Sequence, residues 1–274
     1  MRAPGRTPLV SVAALALAAI GTASVSLAID AYGDDATKPG VRSVSDRAPP
    51  LADPLDPAFD VPAPVKLPRS AQESTWAPVE RAVAARSAPR PGSAVVARVD
   101  SRTPEGTINI VLVLARRTDA EGTLWIRVRL PVLRNNTTGW VPRSTLGGYG
   151  IVRAHLVVDL GDHRATLFRN GRVAFRAPVG VGTAEFPTPR GRFYVRNKLT
   201  RYRSPFYGPI AFGTSARSAT LTDWPAGGFV GIHGTSEPEL IPGRVSHGCI
   251  RLRNEAIVRL AKLMPIGTPL MIRA

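Results

Sequence analysis

The residues best suited to chemistry lie close together near the C-terminal end. Cys249 is the only cysteine of the chain, and His233 and His247 are two of its four histidines. They sit in Gly231-Ile232-His233-Gly234-Thr235 and Val245-Ser246-His247-Gly248-Cys249-Ile250-Arg251-Leu252. A thiol is a strong nucleophile only as thiolate, and an imidazole within hydrogen-bond reach can take its proton and later return it. His247 and Cys249 are two residues apart, so on a strand both face one way, whereas on a turn their directions are free. His233 is far enough away to arrive from a separate strand. The pattern alone leaves open which histidine is the base. Gly248, without a Cβ, lets the backbone approach a substrate, and the N–H groups of Gly248 and Cys249 could face an acyl oxygen. Arg251 can lower the thiol pKa or grip a substrate carboxylate with two N–H groups.

Two other readings compete. His233, His247 and Cys249 could ligate zinc, although one thiolate and no Cys-x-x-Cys pair make a poor ligand set. All three could instead be core residues, but such a group beside glycines in apolar strands is unusual for packing. His155 and His163 have no comparable company and read as surface or core residues.

These residues need strands to position them. From Trp76 to Gly148, Val95–Val99, Ile108–Ala115, Leu124–Leu130 and Trp140–Pro142 are short β signals separated by Gly, Pro, Asn and Asp. Leu124 to Arg129 alternates, as a half-buried strand does. The stretch ending in Gly139-Trp140-Val141-Pro142 resembles the last strands of a bacterial SH3-like module; a β-rich extension packed on the next domain is the alternative. Asn-x-Thr patterns at Asn135 and Asn136 read as turn chemistry. Beyond Ile151, strands are expected at His155–Leu160, Ala165–Phe168, Val173–Ala177, Arg192–Lys198, Ile210–Phe212, Phe229–His233 and Pro269–Ile272. Asn170-Gly171 is a strong hairpin signal. One helix is expected, capped by Asn254, burying Ile257, Leu260, Ala261 and Met264, and stopped by Pro265. The fold class is therefore mainly β with one C-terminal helix.

Composition narrows the setting. The formal charge is +16, almost all of it Arg, with Lys only at 38, 66, 198 and 262. Such a field attracts polyanions, including anionic wall polymers. Arginines spread along the folded part, rather than clustered among aromatics, argue against nucleic acid. Arg2 and Arg6 precede an apolar run from Leu9 to Ile29, the pattern of a secretory signal that is also long enough to be a membrane anchor. Both readings place the remainder outside the cytoplasm. The division expected is signal or anchor over 1–30, a Pro-rich spacer over 31–75, a small β-rich domain over 76–149 and a second β domain over 150–274. The proline total of 26, concentrated before Pro91, supports the spacer. In an exported chain a lone thiol is either an intermolecular bridge or a reactive group.

His-Gly-Thr followed by Ser-His-Gly-Cys-Ile-Arg-Leu, with residues 234–245 between His233 and Ser246, resembles the signature of the YkuD-type L,D-transpeptidase catalytic domain. Gly180-Val-Gly-Thr-Ala-Glu-Phe-Pro-Thr-Pro-Arg-Gly191 is similar to the segment that precedes the catalytic strands in that family, and the resemblance runs from Arg153 to Arg273. It implies a YkuD-like β-sandwich or barrel. It also implies that Cys249 attacks the L,D bond of a peptidoglycan stem tetrapeptide, releases D-alanine and forms a thioester, which an amine from a neighbouring stem resolves to a 3→3 crosslink. By the same resemblance His233 is the proton acceptor, oriented by the carbonyl of Gly234, while His247, Gly248 and Cys249 shape the oxyanion hole. Ser246, Thr235, Arg251, Tyr207 and Trp224 are the implied substrate contacts, with Tyr202, Tyr207 and Trp224 in a flap over the cleft. Some members carry Asn where this chain has Arg251. No metal or cofactor is implied, and carbapenems are expected to acylate the site. Water in place of the amine would make the same site a carboxypeptidase or wall hydrolase. A non-catalytic wall-binding scaffold is the alternative of another class.

Overall fold

The computed structural model describes residues 65–66, 73–200, 204–221 and 228–274. The expected signal or anchor, most of the spacer, and Tyr202 and Trp224 lie outside the described residues. No helix among those described is long and apolar enough to cross a membrane.

A first sheet holds β1 (Val65–Lys66), β2 (Ser74–Pro78), β3 (Val83–Arg86), β4 (Val95–Val99), β5 (Ile110–Thr118), β6 (Leu124–Arg129), β7 (Thr138–Pro142) and β8 (Gly150–Val152). Its order is β4-β3-β7-β6-β5-β2-β8, with β1 on β5. Ala77, Val79, Val99, Val111, Val113, Ile126, Val128 and Val141 form its core. β-branched residues suit these short strands because they pack well on a pleated surface. Strict alternation in β6 would expose Trp125, yet Trp125 is buried beside Ile126. Its indole N–H donates to Asp119 Oδ2 at 2.7 Å, which satisfies the one polar atom that would otherwise oppose burial.

A second sheet holds β9 (Ala154–Asp159), β10 (Arg164–Arg169), β11 (Arg172–Pro178), β12 (Gly180–Gly182), β13 (Gly191–Leu199), β14 (Ala211–Arg217), β15 (Phe229–His233), β16 (Gly243–Ser246), β17 (Ile250–Arg251) and β18 (Pro269–Arg273). Its order is β11-β10-β9-β18-β13-β14-β15-β17-β12-β16. Asn170 and Gly171 both have positive φ, 49° and 74°, and close the β10–β11 hairpin. β9 alternates cleanly, with Ala154, Leu156 and Val158 buried. The fold is mainly β, with one α-helix, α1 (Asn254–Leu263), among the described residues. Its Ile257, Leu260 and Ala261 are buried, and so is Met264 just beyond it. Asn254 does not cap it. The N-cap is Arg253, without a side-chain hydrogen bond, and the Asn254 amide is used elsewhere.

Both sheets belong to one compact unit of the chain. The Trp76 indole fills space beside Gly150 and Gly267, where a Cβ would stand only 2.3 Å and 2.2 Å from the ring. The fully buried Tyr194 donates its hydroxyl to the carbonyl of Ile110 at 3.0 Å. Asn136 Oδ1 accepts the N–H of Arg192 at 2.9 Å. Contacts from the first sheet thus run along β13, which lies two strands from the strand that carries His233.

Candidate active site

β15 and β17 run parallel, with Ile232 opposite Ile250 and His233 opposite Arg251. Cys249 immediately precedes β17 and therefore comes level with Gly231. The N–H of Gly231 donates to Cys249 Sγ at 3.3 Å. Gly231 and His233 share one face of β15, since side-chain direction alternates along a strand. A Cβ on Gly231 would stand 3.6 Å from His233 Cδ2 and 3.8 Å from Cys249 Sγ. The missing side chain therefore leaves a gap that the thiol and the imidazole border together. Both also line one cleft of about 380 Å³, with Tyr207, Phe229, Glu237, Ser246, His247 and Arg251 among the walls.

His233 is only 4% exposed, and its Nδ1 lies 2.6 Å from the carbonyl oxygen of Gly234. A carbonyl only accepts, so Nδ1 carries the hydrogen and Nε2 keeps its lone pair free. Burial pushes the imidazole pKa down to about 4; the Gly234 carbonyl works against that shift, and Arg251 adds to it. The Cys249 thiol is raised by burial, against the lowering influence of the Gly231 N–H and Arg251. At neutral pH both groups rest uncharged.

The turn that presents Cys249 is tied from three sides. Ser246 Oγ donates to the carbonyl of Cys249 at 2.6 Å and accepts the N–H of Gly248 at 3.1 Å. Thr188 Oγ1 donates to the carbonyl of Gly248 at 2.9 Å and accepts the N–H of Gly182 at 2.8 Å. Gly248 adopts φ 105°, a conformation that L side chains rarely adopt. The strand β12 and its following loop, within the Gly180–Gly191 segment that carried part of the family resemblance, are thus the scaffold of the turn that presents Cys249.

The second turn is held as firmly. Asn254 Oδ1 accepts the N–H of Thr235 at 2.9 Å, and Thr235 Oγ1 accepts the N–H of Glu237 at 3.0 Å. Thr235 is buried behind this loop and is not among the cleft walls, while Gly234 packs against Asn254 and Gly208. Glu237 pairs with Arg251 at 2.8 Å. Arg251 Nε is buried without a hydrogen-bond partner among the described residues. His247 is exposed and leans on Phe186, centroids 4.8 Å apart. The Tyr207 ring lies 4.6 Å from that of His233, tilted by 59°. The structure therefore gathers Cys249, His233, His247, Ser246, Arg251 and Tyr207 around one cleft. Sequence reasoning quoted Gly231 and Thr188 inside their segments and Phe229 as a strand start without giving them a role, and it passed over Glu237, an acid next to the motif in a basic chain. Among the described residues no three His, Cys, Asp or Glu side chains converge to hold a metal ion.

Residues 153–272 match the family described as YkuD, the L,D-transpeptidase catalytic domain. The chain is 39% identical over 114 residues to YkuD of Bacillus subtilis, a protein named as an L,D-transpeptidase; the match covers 42% of this chain and 62% of that one. The Bacillus licheniformis counterpart is 32% identical, with 41% and 61% covered. The chain thus spans under two thirds of the length of these curated relatives. Among solved structures, the catalytic domain of the Enterococcus faecium L,D-transpeptidase is 27% identical, with 44% of this chain and 96% of that one covered and a TM-score of 0.33. L,D-transpeptidase 3 from Mycobacterium tuberculosis, solved with a faropenem-derived adduct, is 17% identical, with 61% and 91% covered and a TM-score of 0.39. Residues 153–272, which contain the motif and the cleft, are thus similar in sequence to the YkuD-type L,D-transpeptidase catalytic domain.

Proposed function

We propose that the protein is a cysteine-dependent L,D-transpeptidase that makes 3→3 crosslinks between peptidoglycan stem peptides outside the cytoplasm. The observation that carries this reading is the gap above Gly231, bordered by Cys249 Sγ and by the imidazole of His233. As Sγ bonds to the carbonyl carbon between the third and fourth stem residues, the thiol proton passes to His233 Nε2. The carbonyl oxygen becomes an oxyanion beside the backbone N–H of Cys249, the Gly248 N–H being held in the resting site by Ser246. Collapse breaks the amide bond, and the imidazolium returns its proton to the departing D-alanine amine. The second stem's side-chain amine then attacks the thioester carbonyl and gives its proton to His233; the C–S bond breaks, and the expelled thiolate takes that proton back from the imidazolium. His247 and Phe186 form one rim of the cleft and Tyr207 another, while Arg251, paired with Glu237, supplies positive charge to the wall that a substrate carboxylate would meet.

The Pro-rich N-terminal stretch serves as a spacer and the basic surface favours anionic wall polymers. The leading apolar run acts as export signal or anchor. The same acyl-enzyme could be resolved by water, and only the product tells the two apart. Incubation of the purified protein with a tetrapeptide wall fragment, followed by mass spectrometry, is expected to show crosslinked dimer and free D-alanine. Shortened monomer without dimer would make it a carboxypeptidase. Folded protein giving neither product, nor a covalent carbapenem adduct on Cys249, would make it a scaffold.

A further inference from the structure

Phe229 opens β15, two residues before Gly231, and lines the cleft. Two guanidinium groups lie over its ring, Arg196 at 3.7 Å and Arg217 at 4.6 Å from the centroid. Each of these arginines is tied to the first sheet. Arg196 sits where the β13–β14 register shifts, an irregularity that re-aims a side chain. It is 1% exposed, and its Nε donates to the carbonyl of Thr214 at 3.0 Å. The carboxylate facing it comes from Glu105, with 3.6 Å between Arg196 Nη2 and Glu105 Oε1. The other oxygen of Glu105 accepts from Asn197 Nδ2 at 3.0 Å, beside Thr107 Oγ1, which accepts from the same nitrogen at 3.0 Å. Arg217 is clasped by Asn135, which accepts its backbone N–H at 3.0 Å and donates to its carbonyl at 2.8 Å. A buried guanidinium stays put only where a counter-charge and hydrogen bonds offset its desolvation. Glu105 supplies the first and the Thr214 carbonyl the second.

We infer that Glu105, on the loop between β4 and β5, and Asn135, on the loop between β6 and β7, are positioning residues for the cleft, acting through Arg196 and Arg217 to hold Phe229 and the start of β15. The β-rich segment is then part of the active site's construction. Its consequence for peptide turnover rests on the proposed acyl transfer, but the wall itself can be read without that activity.

Cys249 is the only thiol, so a thiol reagent reports from the cleft alone. The full chain would be alkylated with iodoacetamide, which is small, and with N-phenylmaleimide, whose ring can stack on Phe229 in the cleft wall. Glu105→Gln and Phe229→Leu are each expected to slow the aryl reagent about fivefold relative to iodoacetamide, and the double variant should be no slower than Phe229→Leu, because residues acting through one another are not additive. Asn135→Ala carries the same expectation and serves if Glu105→Gln fails to fold. With tetrapeptide, Glu105→Gln is expected to raise KM several-fold and leave kcat within about twofold. An unchanged reagent ratio in folded variants, or effects of Glu105 and Phe229 that multiply, would overturn the inference. Wild-type protein inert on peptide but with the reagent dependence intact would instead sink the transpeptidase reading and leave the positioning role standing.

Discussion

The two histidines of the site stand in opposite environments. His233 is enclosed by β15, the Tyr207 ring and the Gly234 carbonyl, and its pKa is pushed down to about 4. His247, two residues from the nucleophile, lies on the exposed rim against Phe186. Nearness in sequence would favour His247 as the base. The strand register favours His233, because a parallel neighbour brings Gly231 and Cys249 level and points the imidazole at the same gap. A proton acceptor needs a fixed direction and a free lone pair more than it needs a short stretch of chain.

The strongest way to break that comparison is substitution of the pair itself. Cys249→Ala should abolish peptide turnover, and His233→Asn should lower kcat/KM by about 10²–10⁴-fold, the usual reach of a positioned general base. Steady-state kinetics on a tetrapeptide checks both. If His247→Asn had the larger effect, the roles would be reversed.

A second test uses pH. Folded His233 has its pKa below the unfolded value of 6.5, so between about 4 and 6.5 the unfolded chain binds the extra proton and stability rises with pH. The stabilisation is complete above that window and lost as pH falls through it, by about 3 kcal/mol. Denaturant unfolding at several pH values should show this slope in the wild type and a reduced one in His233→Asn.

Smaller effects are expected where backbone groups lose partners. Asn254→Ala leaves the Thr235 N–H without its acceptor and Thr188→Val releases the Gly248 carbonyl. Each should cost roughly 1–3 kcal/mol in chemical denaturation, with a fall in turnover for Thr188→Val. His247→Gln should be mildest, within about tenfold in kcat/KM, because a rim residue contributes contact rather than proton transfer.

The sequence readily yields what is local. The stretch His155–Leu160 placed β9 to within a residue, the Asn170-Gly171 pair placed the β10–β11 hairpin, and 3.6-residue spacing gave the buried face of α1. The catalytic motif could be read because its members lie in two short segments. What could not be read depends on pairing across long separations. Asn254 has the residue type and position of a helix cap, yet its amide is drawn to the Thr235 N–H, a stronger demand because that group is otherwise buried. Thr188 reaches Gly248, and Glu105 reaches Arg196, through sheet topology that no local periodicity encodes. Trp125 broke its alternation for a nearer reason: Asp119, in the turn before the strand, satisfies its indole N–H and lets it be buried.

The most direct test of the central claim is intact-protein mass spectrometry of the protein quenched during reaction with a tetrapeptide fragment. The wild type should carry a stem-tripeptidyl adduct on the peptide containing Cys249, with D-alanine released in step, while His233→Asn forms it far more slowly and Cys249→Ala not at all. An adduct that persists in Cys249→Ala, or one formed at the wild-type rate without His233, would contradict the account.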